Sequence, residues 1–463
     1  MSDITLHRAR TVLPVAAPPI ADGAVAVRDG RIVAVGAHDA LTAELGDAIG
    51  ERREWDGALT PGLVNAHTHL QYTDMAAVGR GQYPSFETWA LAFEKGYRVE
   101  HDWAASAAEG VRLSIESGTT AVAEIVTDPE AGRAVHDAGL HGVVFWEVFG
   151  WKRAAWQHDG PERVLAQLDA LPSPPATGLS PHAIYSLDTD VFRELQRLAE
   201  ANGVRLHIHA AESASEDEFA RFGTGPLAER WRGLGHSDMQ LLSAGGSGNG
   251  VVHYLDTVGV LTPHSHLAHG IYVDAADRAL LRERGVSVAL CPRSNAVIGL
   301  DAPPIAAYLT EGNPIGVGTD SLSSSPSLRV LDDVAELHRL ARAQGYSADD
   351  LHARLLHAAT AGGARALGLA DGPAPAGTLV AGARADLAVF ATASADPRDA
   401  LAEIVEGAPE ALGTVVDGRM LWDGVPAGRG PSTGSGTQIN SGAASLAGGP
   451  STGSGAPFEG ARA

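Results

Sequence analysis

The sequence predicts an α/β protein: a (β/α)8 TIM barrel carrying a small β-sandwich domain built from both chain termini. Three observations predict it. Eight short apolar runs recur between residues 59 and 375, and the segments between them have helical spacing. Several of those runs end in a histidine or an acid, the place where barrels build their sites. Hairpin-like sequence, rich in alternating apolar residues, lies before and after the barrel stretch.

Residues 1–58 open the small domain. "GAVAVRDGRIVAVG" holds two alternating runs joined by Asp29-Gly30, a strong hairpin signal. Residues 376–424 return to the same texture, with "AGTLVAGARADLAVF" and "GTVVDGRMLWDG" turning at Asp417-Gly418. Between them the barrel strands are read, in order, as "TPGLVNAHTHL", "GTTAVAEIV", "HGVVFWEVFG", "ATGLSPHAIYS", "VRLHIHAAES", "SHLAHGIYV", "VSVALCPRSN" and "PIGVGTDSLSS". Helices such as "VFRELQRLAEANG" and "ADRALLRERG" stop at glycine. A doubly wound open sheet is the competing architecture. The segment 427–463 is rich in glycine, serine and proline and repeats "PSTGSG", which predicts a disordered extension.

Composition narrows the function. With 44% hydrophobic residues the 463-residue chain can bury a large core. Its net charge of −22 argues against nucleic-acid binding, which needs a basic surface. No apolar stretch is long enough to span a bilayer, and the N-terminus has no signal-type core. Cys291 is the single cysteine, which excludes an intrachain disulfide or a cysteine metal site and fits a reducing cytoplasm.

The polar residues at the strand ends carry the chemistry. His67 and His69 close the first barrel strand two residues apart, so alternation turns both to one side, where they can bind one divalent ion. His207 and His209 alternate on the fifth strand. His209 extends the ligand set, Glu212 reaches over it as acid and base, and His207 reads as a core histidine, with support of a ligand as the alternative. His269 ends the sixth strand, whereas His266 sits earlier and reads as packed. Asp320 ends the eighth strand and can supply a carboxylate, although Thr-Asp-Ser is more often a helix cap. The set His67, His69, His209 and Asp320 suits Zn2+ or Fe2+, and the sequence does not choose between them.

These motifs, "NAHTHL", "HIHAAES", "HLAHGIYV" and "GVGTDS" in that order, resemble the amidohydrolase superfamily over nearly the whole chain up to Gly424. Within it the pattern is similar to the mononuclear adenosine-type deaminase and chlorohydrolase branch. The fourth strand lacks the lysine or acid that bridges two ions in binuclear relatives, so one metal ion, Zn2+ with Fe2+ as the alternative, is implied. The resemblance implies Glu212, His269 and Asp320 as catalytic groups. "SFETWALAFE" resembles the segment in which a glutamate, here Glu87, holds ribose hydroxyls, and "SPHAIYS" offers His182 as a substrate contact. "CPRSN" departs from the usual Asn-Pro-x-Ser-Asn. Together with "HTHLQYTDM" the combination looks most like aminodeoxyfutalosine deaminases of menaquinone biosynthesis, whose nucleoside substrate carries a benzoate. Arg293 and Arg80 are then the candidate cations for it; a loop-fixing ion pair for Arg293 and a solvated loop charge for Arg80 are the plainer alternatives. Methylthioadenosine/S-adenosylhomocysteine deaminase, guanine deaminase and triazine chlorohydrolase are the neighbouring readings, and a catalytically inactive metal-binding regulator is a distant one. Relatives are often homodimers; no stretch of this sequence speaks to that.

Overall fold

The computed structural model describes residues 3–424; the expected disordered tail at 427–463 lies outside the described residues. Strands follow in chain order as β1 (Ile4–Val12), β2 (Ile20–Arg28), β3 (Arg31–Ala37), β4 (Ile49–Pro61), β5 (Leu63–Thr68), β6 (Thr119–Val126), β7 (His141–Val148), β8 (Ala176–Pro181), β9 (Arg205–Ala210), β10 (Ser265–His269), β11 (Ser287–Leu290), β12 (Ile315–Val317), β13 (Leu387–Phe390), β14 (Ala411–Val416) and β15 (Arg419–Trp422).

Strands β5 to β12 form a closed parallel barrel. Each of the eight predicted apolar runs contains one of them. The strands are short, and each is fully or largely buried, because helices cover the outside and side chains fill the inside. On β9 the alternation is plain. Leu206, Ile208 and Ala210 join the outer hydrophobic core, while His207 and His209 turn inward. The helix Thr189–Asn202 shows how the cover is made. Asp188 caps it, Val191, Phe192, Leu195 and Ala199 are buried, and Gly203 ends it at φ 64°. Each such large apolar side chain contributes about 1.5–3 kcal/mol of burial.

The barrel interior is layered. Phe145, His207 and His266 pack as one level, with His207 and His266 stacked at 3.8 Å between ring centroids. Above it, toward the C-terminal strand ends, lies the level of His67, His209 and His269. Gly318 is required there by close approach, since a Cβ would stand 2.8 Å from both the His67 Cβ and the Cys291 sulfur.

The chain ends build a seven-stranded sheet in the order β15-β14-β13-β4-β1-β2-β3. It is one continuous hydrogen-bonded ladder, parallel only between β1 and β4. Residues of β1, β2, β4, β13 and β14, among them Val12, Val25, Leu59, Leu387 and Val415, close on a shared hydrophobic cluster. The sheet thus wraps its own core. Among the described residues no helix is long and apolar enough to cross a membrane.

Candidate active site

The C-terminal ends of the barrel strands bring together residues more than 250 positions apart. His67 and His69 come from the end of β5, His209 from β9, His269 from β10, and Asp320 from the turn after β12. His69 Nε2 and His209 Nε2 are 3.2 Å apart. Asp320 Oδ1 lies 3.7 Å from His67 Nε2 and 3.9 Å from His69 Nε2.

Backbone strain aims some of these groups. His269 has the strand parity of Leu267, which faces outward, but its φ of 74° re-aims the side chain inward. Asp320 has φ 57° and Ala211, immediately before Glu212, has φ 52°. Three non-glycine residues in the left-handed region cluster at one end of the barrel, each a cost of order 1–3 kcal/mol that the surrounding structure holds in place.

The donor set fits a divalent metal ion. His67 Nε2 is buried without a hydrogen-bond partner, which costs about 1–3 kcal/mol unless something binds it. Ligands about 2.0–2.1 Å from one tetrahedral ion stand roughly 3.3 Å apart, close to the spacing of His69 and His209. One ligand atom from each of His67, His69 and His209 lies within 4.8 Å of the others, as does one from each of His67, His269 and Asp320. Burial, and then neighbouring imidazoles, hold His67 and His209 well below the ordinary histidine range. Burial brings His69 down to about 4 against the attraction of Asp320. The rings are therefore neutral at pH 7, the form that binds metal.

Asp320 is held by a hydroxyl cradle. Its Oδ2 accepts hydrogen bonds from Ser294 Oγ at 2.7 Å and Ser324 Oγ at 2.8 Å, and its Oδ1 from the Ser321 amide at 2.8 Å. Glu212 lies 3.5 Å from His269 Nε2. Burial first, then the nearby Asp320 and Glu216 carboxyl groups, push its carboxyl well above the usual range, a shift toward the protonated form. Glu216 secures the turn, its carboxylate accepting the Glu212 amide at 2.8 Å while its own amide is capped by Ser213 Oγ at 3.1 Å.

A pocket opens over this cluster. His69, His209, Glu212, His269 and Asp320 line its floor; Tyr72, Phe86, Trp89, Phe93, Phe149, Tyr185 and Trp231 supply aromatic walls. Glu87, at the start of the helix Phe86–Tyr97, is on the wall and accepts a 2.5 Å hydrogen bond from Ser215 Oγ. His182 is on the wall as well, its Nδ1 3.0 Å from Ser186 Oγ.

The two arginines singled out from the sequence are elsewhere. Arg293 lies on the helix Pro292–Val297, which turns it outward to Asp332 at 3.1 Å and Ser327 at 2.7 Å, in a separate surface groove. Its motif serves the site through Ser294 instead. Arg80 is exposed and does not line the pocket. Arg230, which does, is paired with Glu94 at 2.9 Å. His207, read as a core histidine, is fully buried and also touches the cluster: its Nε2 is 2.7 Å from His67 Nδ1.

Sequence reasoning also passed over Glu147, the last residue but one of β7, which lines the pocket and lies 3.8 Å from His209 Nδ1. Burial and Asp320 push it up to about 8. An acid near the end of an apolar strand was the signal. For Glu216 it was Ser213-x-x-Glu216, a capping-box spacing.

Comparison with known proteins agrees with this architecture. Residues 58–421 match the amidohydrolase family. A 5-methylthioadenosine/S-adenosylhomocysteine deaminase of Nitratidesulfovibrio vulgaris (strain DP4) is 31% identical over 407 residues, covering 83% of this chain and 80% of that protein. The zinc-bound crystal structure of an adenosine deaminase from Xanthomonas campestris superposes with a TM-score of 0.73 at 26% identity, covering 90% of this chain and 92% of that one. Helicobacter pylori aminofutalosine deaminase has the same fold, with a TM-score of 0.77 at 21% identity over 91% of this chain and all of that one. The eight-stranded barrel, the ordered strand-end histidines and acids, and a family match spanning most of the chain establish that this protein is an enzyme of the amidohydrolase family.

Proposed function

We propose that this enzyme is a one-metal hydrolytic deaminase of an adenosine-type nucleoside, converting 6-amino-6-deoxyfutalosine and water to futalosine and ammonia in menaquinone biosynthesis. The observation that carries the deaminase reading is Glu212, a buried carboxyl 3.5 Å from His269 and set beside a converged His/Asp cluster under an aromatic pocket. A divalent ion held by His67, His69, His209 and Asp320, Zn2+ in this reading, supplies Lewis acidity that brings the pKa of a water down to about 7.

The chain's own groups do the rest. Asp320 and His269 orient the attacking water and take its proton as its oxygen bonds to C6 of the purine. Glu212 gives its proton to ring N1, so the charge that would build on the ring is neutralised. The C6–N bond then breaks as Asp320 or His269 returns a proton to the amine, the remaining hydroxyl proton passes to the Glu212 carboxylate as the C6 carbonyl forms, and ammonia leaves. Glu87 accepts from ribose hydroxyls, and His182 contacts the base from the wall.

The aromatic walls support a substrate with a second aryl group. Arg230 is the wall's cation. Glu94 also pairs with Arg98, so a substrate carboxylate can replace it at Arg230 without leaving it unpaired. A second reading, a methylthioadenosine/S-adenosylhomocysteine deaminase, is favoured by the similar Nitratidesulfovibrio vulgaris protein.

The test is ammonia release from aminodeoxyfutalosine, methylthioadenosine, S-adenosylhomocysteine, adenosine and guanine. The expected result is the highest kcat/KM on aminodeoxyfutalosine. A preference for methylthioadenosine or S-adenosylhomocysteine keeps the mechanism and replaces the substrate. Activity on guanine alone overturns the nucleoside reading.

A further inference from the structure

We infer that His207 is a positioning residue that fixes the tautomer of the metal ligand His67, through a hydrogen-bonded chain anchored on the backbone carbonyl of His266. The proposal rests on reading the strand-end cluster as a metal centre. It follows from which atoms can only accept. The Ala66 carbonyl lies 3.2 Å from His266 Nε2, so that nitrogen carries the proton. The His266 carbonyl lies 3.3 Å from His207 Nδ1, so that nitrogen carries a proton too. A neutral His207 then has a bare Nε2, which must accept. Its partner is His67 Nδ1 at 2.7 Å, which therefore donates. His67 is left with its lone pair on Nε2, the buried nitrogen with no other partner that faces His69, His209 and Asp320.

Packing locks the chain. His207 and His266 are fully buried, their rings are stacked 16° from parallel, and Phe145 packs against both. Neither ring can flip without turning a carbon toward its carbonyl and leaving a buried N–H unpaired, at about 1–3 kcal/mol. Metal-binding histidines are commonly backed by a carboxylate or carbonyl. Here a neutral imidazole relays a carbonyl's preference instead, so His67 is oriented without adding negative charge beneath the ion.

The test uses the full-length protein and two variants. His207→Phe fills the space but offers His67 no acceptor. His207→Gln restores both functions, an amide oxygen toward His67 and an amide NH2 toward the His266 carbonyl. Zn2+ affinity is measured by chelator competition, ligand geometry by the visible spectrum of the Co2+ form, and fold by circular dichroism. His207→Phe should bind Zn2+ about 10–100-fold more weakly with a changed Co2+ spectrum, and His207→Gln should recover most of the affinity. Wild-type affinity and spectrum in His207→Phe overturn the proposal, as does an equal loss in both variants. The 15N NMR of Zn2+-loaded wild type reads the tautomer without any variant. His207 protonated on Nδ1 supports the chain, and His207 protonated on Nε2 overturns it. Wild-type protein that binds no Zn2+ overturns the metal centre itself, a separate failure.

Discussion

Both ends of the barrel carry a cluster of histidine and aspartate, and the two are built in opposite ways. At the C-terminal end, His67, His69, His209, His269 and Asp320 crowd together with buried nitrogens unpartnered and every imidazole held below its ordinary pKa. At the N-terminal end, His141 opens β7 and meets the terminal sheet. Its Nε2 is 3.4 Å from Asp386 and 3.2 Å from Asp417, and Arg384 bonds Asp417 at 3.2 Å. Burial alone would lower His141, but the two carboxylates outweigh it and raise it to about 9; hydrogen bonding to His141 lowers Asp417 to about 2. The same residue types thus make an ion-paired latch at one end and a cluster of neutral, partly unpartnered imidazoles at the other. Opposite charges in contact stabilise the fold. Buried ring nitrogens without partners cost stability, a cost that a bound cation would relieve.

The largest effect that sharpens this contrast is at His67. His67→Ala should take bound metal from one equivalent to near none and lower turnover at least about 10³-fold, beyond the 10–100-fold loss that supporting residues cause. Its metal-free thermal stability should stay close to that of the metal-free parent, because the unsatisfied Nε2 it removes offsets the cavity it opens and the His207 Nε2 it strands. Elemental analysis, ammonia release and calorimetry check the three parts. A clear fall in metal-free stability would break the comparison.

Next in size is Glu212→Gln. It should lower kcat about 10²-fold or more while leaving metal content intact, because the amide keeps the shape but cannot donate the proton. Near-parental turnover would remove Glu212 from its role.

At the other end, His141→Ala should cost about 1–2 kcal/mol in urea unfolding, between an exposed and a buried ion pair, with kcat per bound metal unchanged. Its pH dependence is the smallest effect. His141 is raised on folding, so its contribution is full below about 6.5 and is lost as pH rises through about 9. Asp417 is lowered, so its share is present above its unfolded value and lost as pH falls through about 2. The stability gap between parent and His141→Ala should therefore shrink from pH 7 to pH 10. A constant gap would mean that His141 acts by packing alone.

Much of this was legible in the sequence for local reasons. Apolar runs punctuated by glycine mark barrel strands, and His67-x-His69 is a period-two pattern whose consequence is direct. What was not legible depends on closure. The stacking of His207 on His266 follows from the register of β9 against β10, which pairs those two residues. Ser294 reaches Asp320 across 26 positions, while its neighbour Arg293 turns away because a helix, not a strand, begins at Pro292. The inward aim of His269 depends on a positive φ, against the alternation that served on β9. The parallel pairing of β1 with β4, which makes the terminal sheet continuous, leaves no local sequence signal.

The measurement closest to the central claim is ammonia release from an adenosine-type nucleoside, followed on protein of known metal content through chelation and reloading with Zn2+. Activity should be proportional to metal, saturating at one equivalent per chain, lost on chelation and restored by Zn2+, while the metal-free protein stays folded. Full activity in metal-free protein, or saturation only at two equivalents, would contradict it.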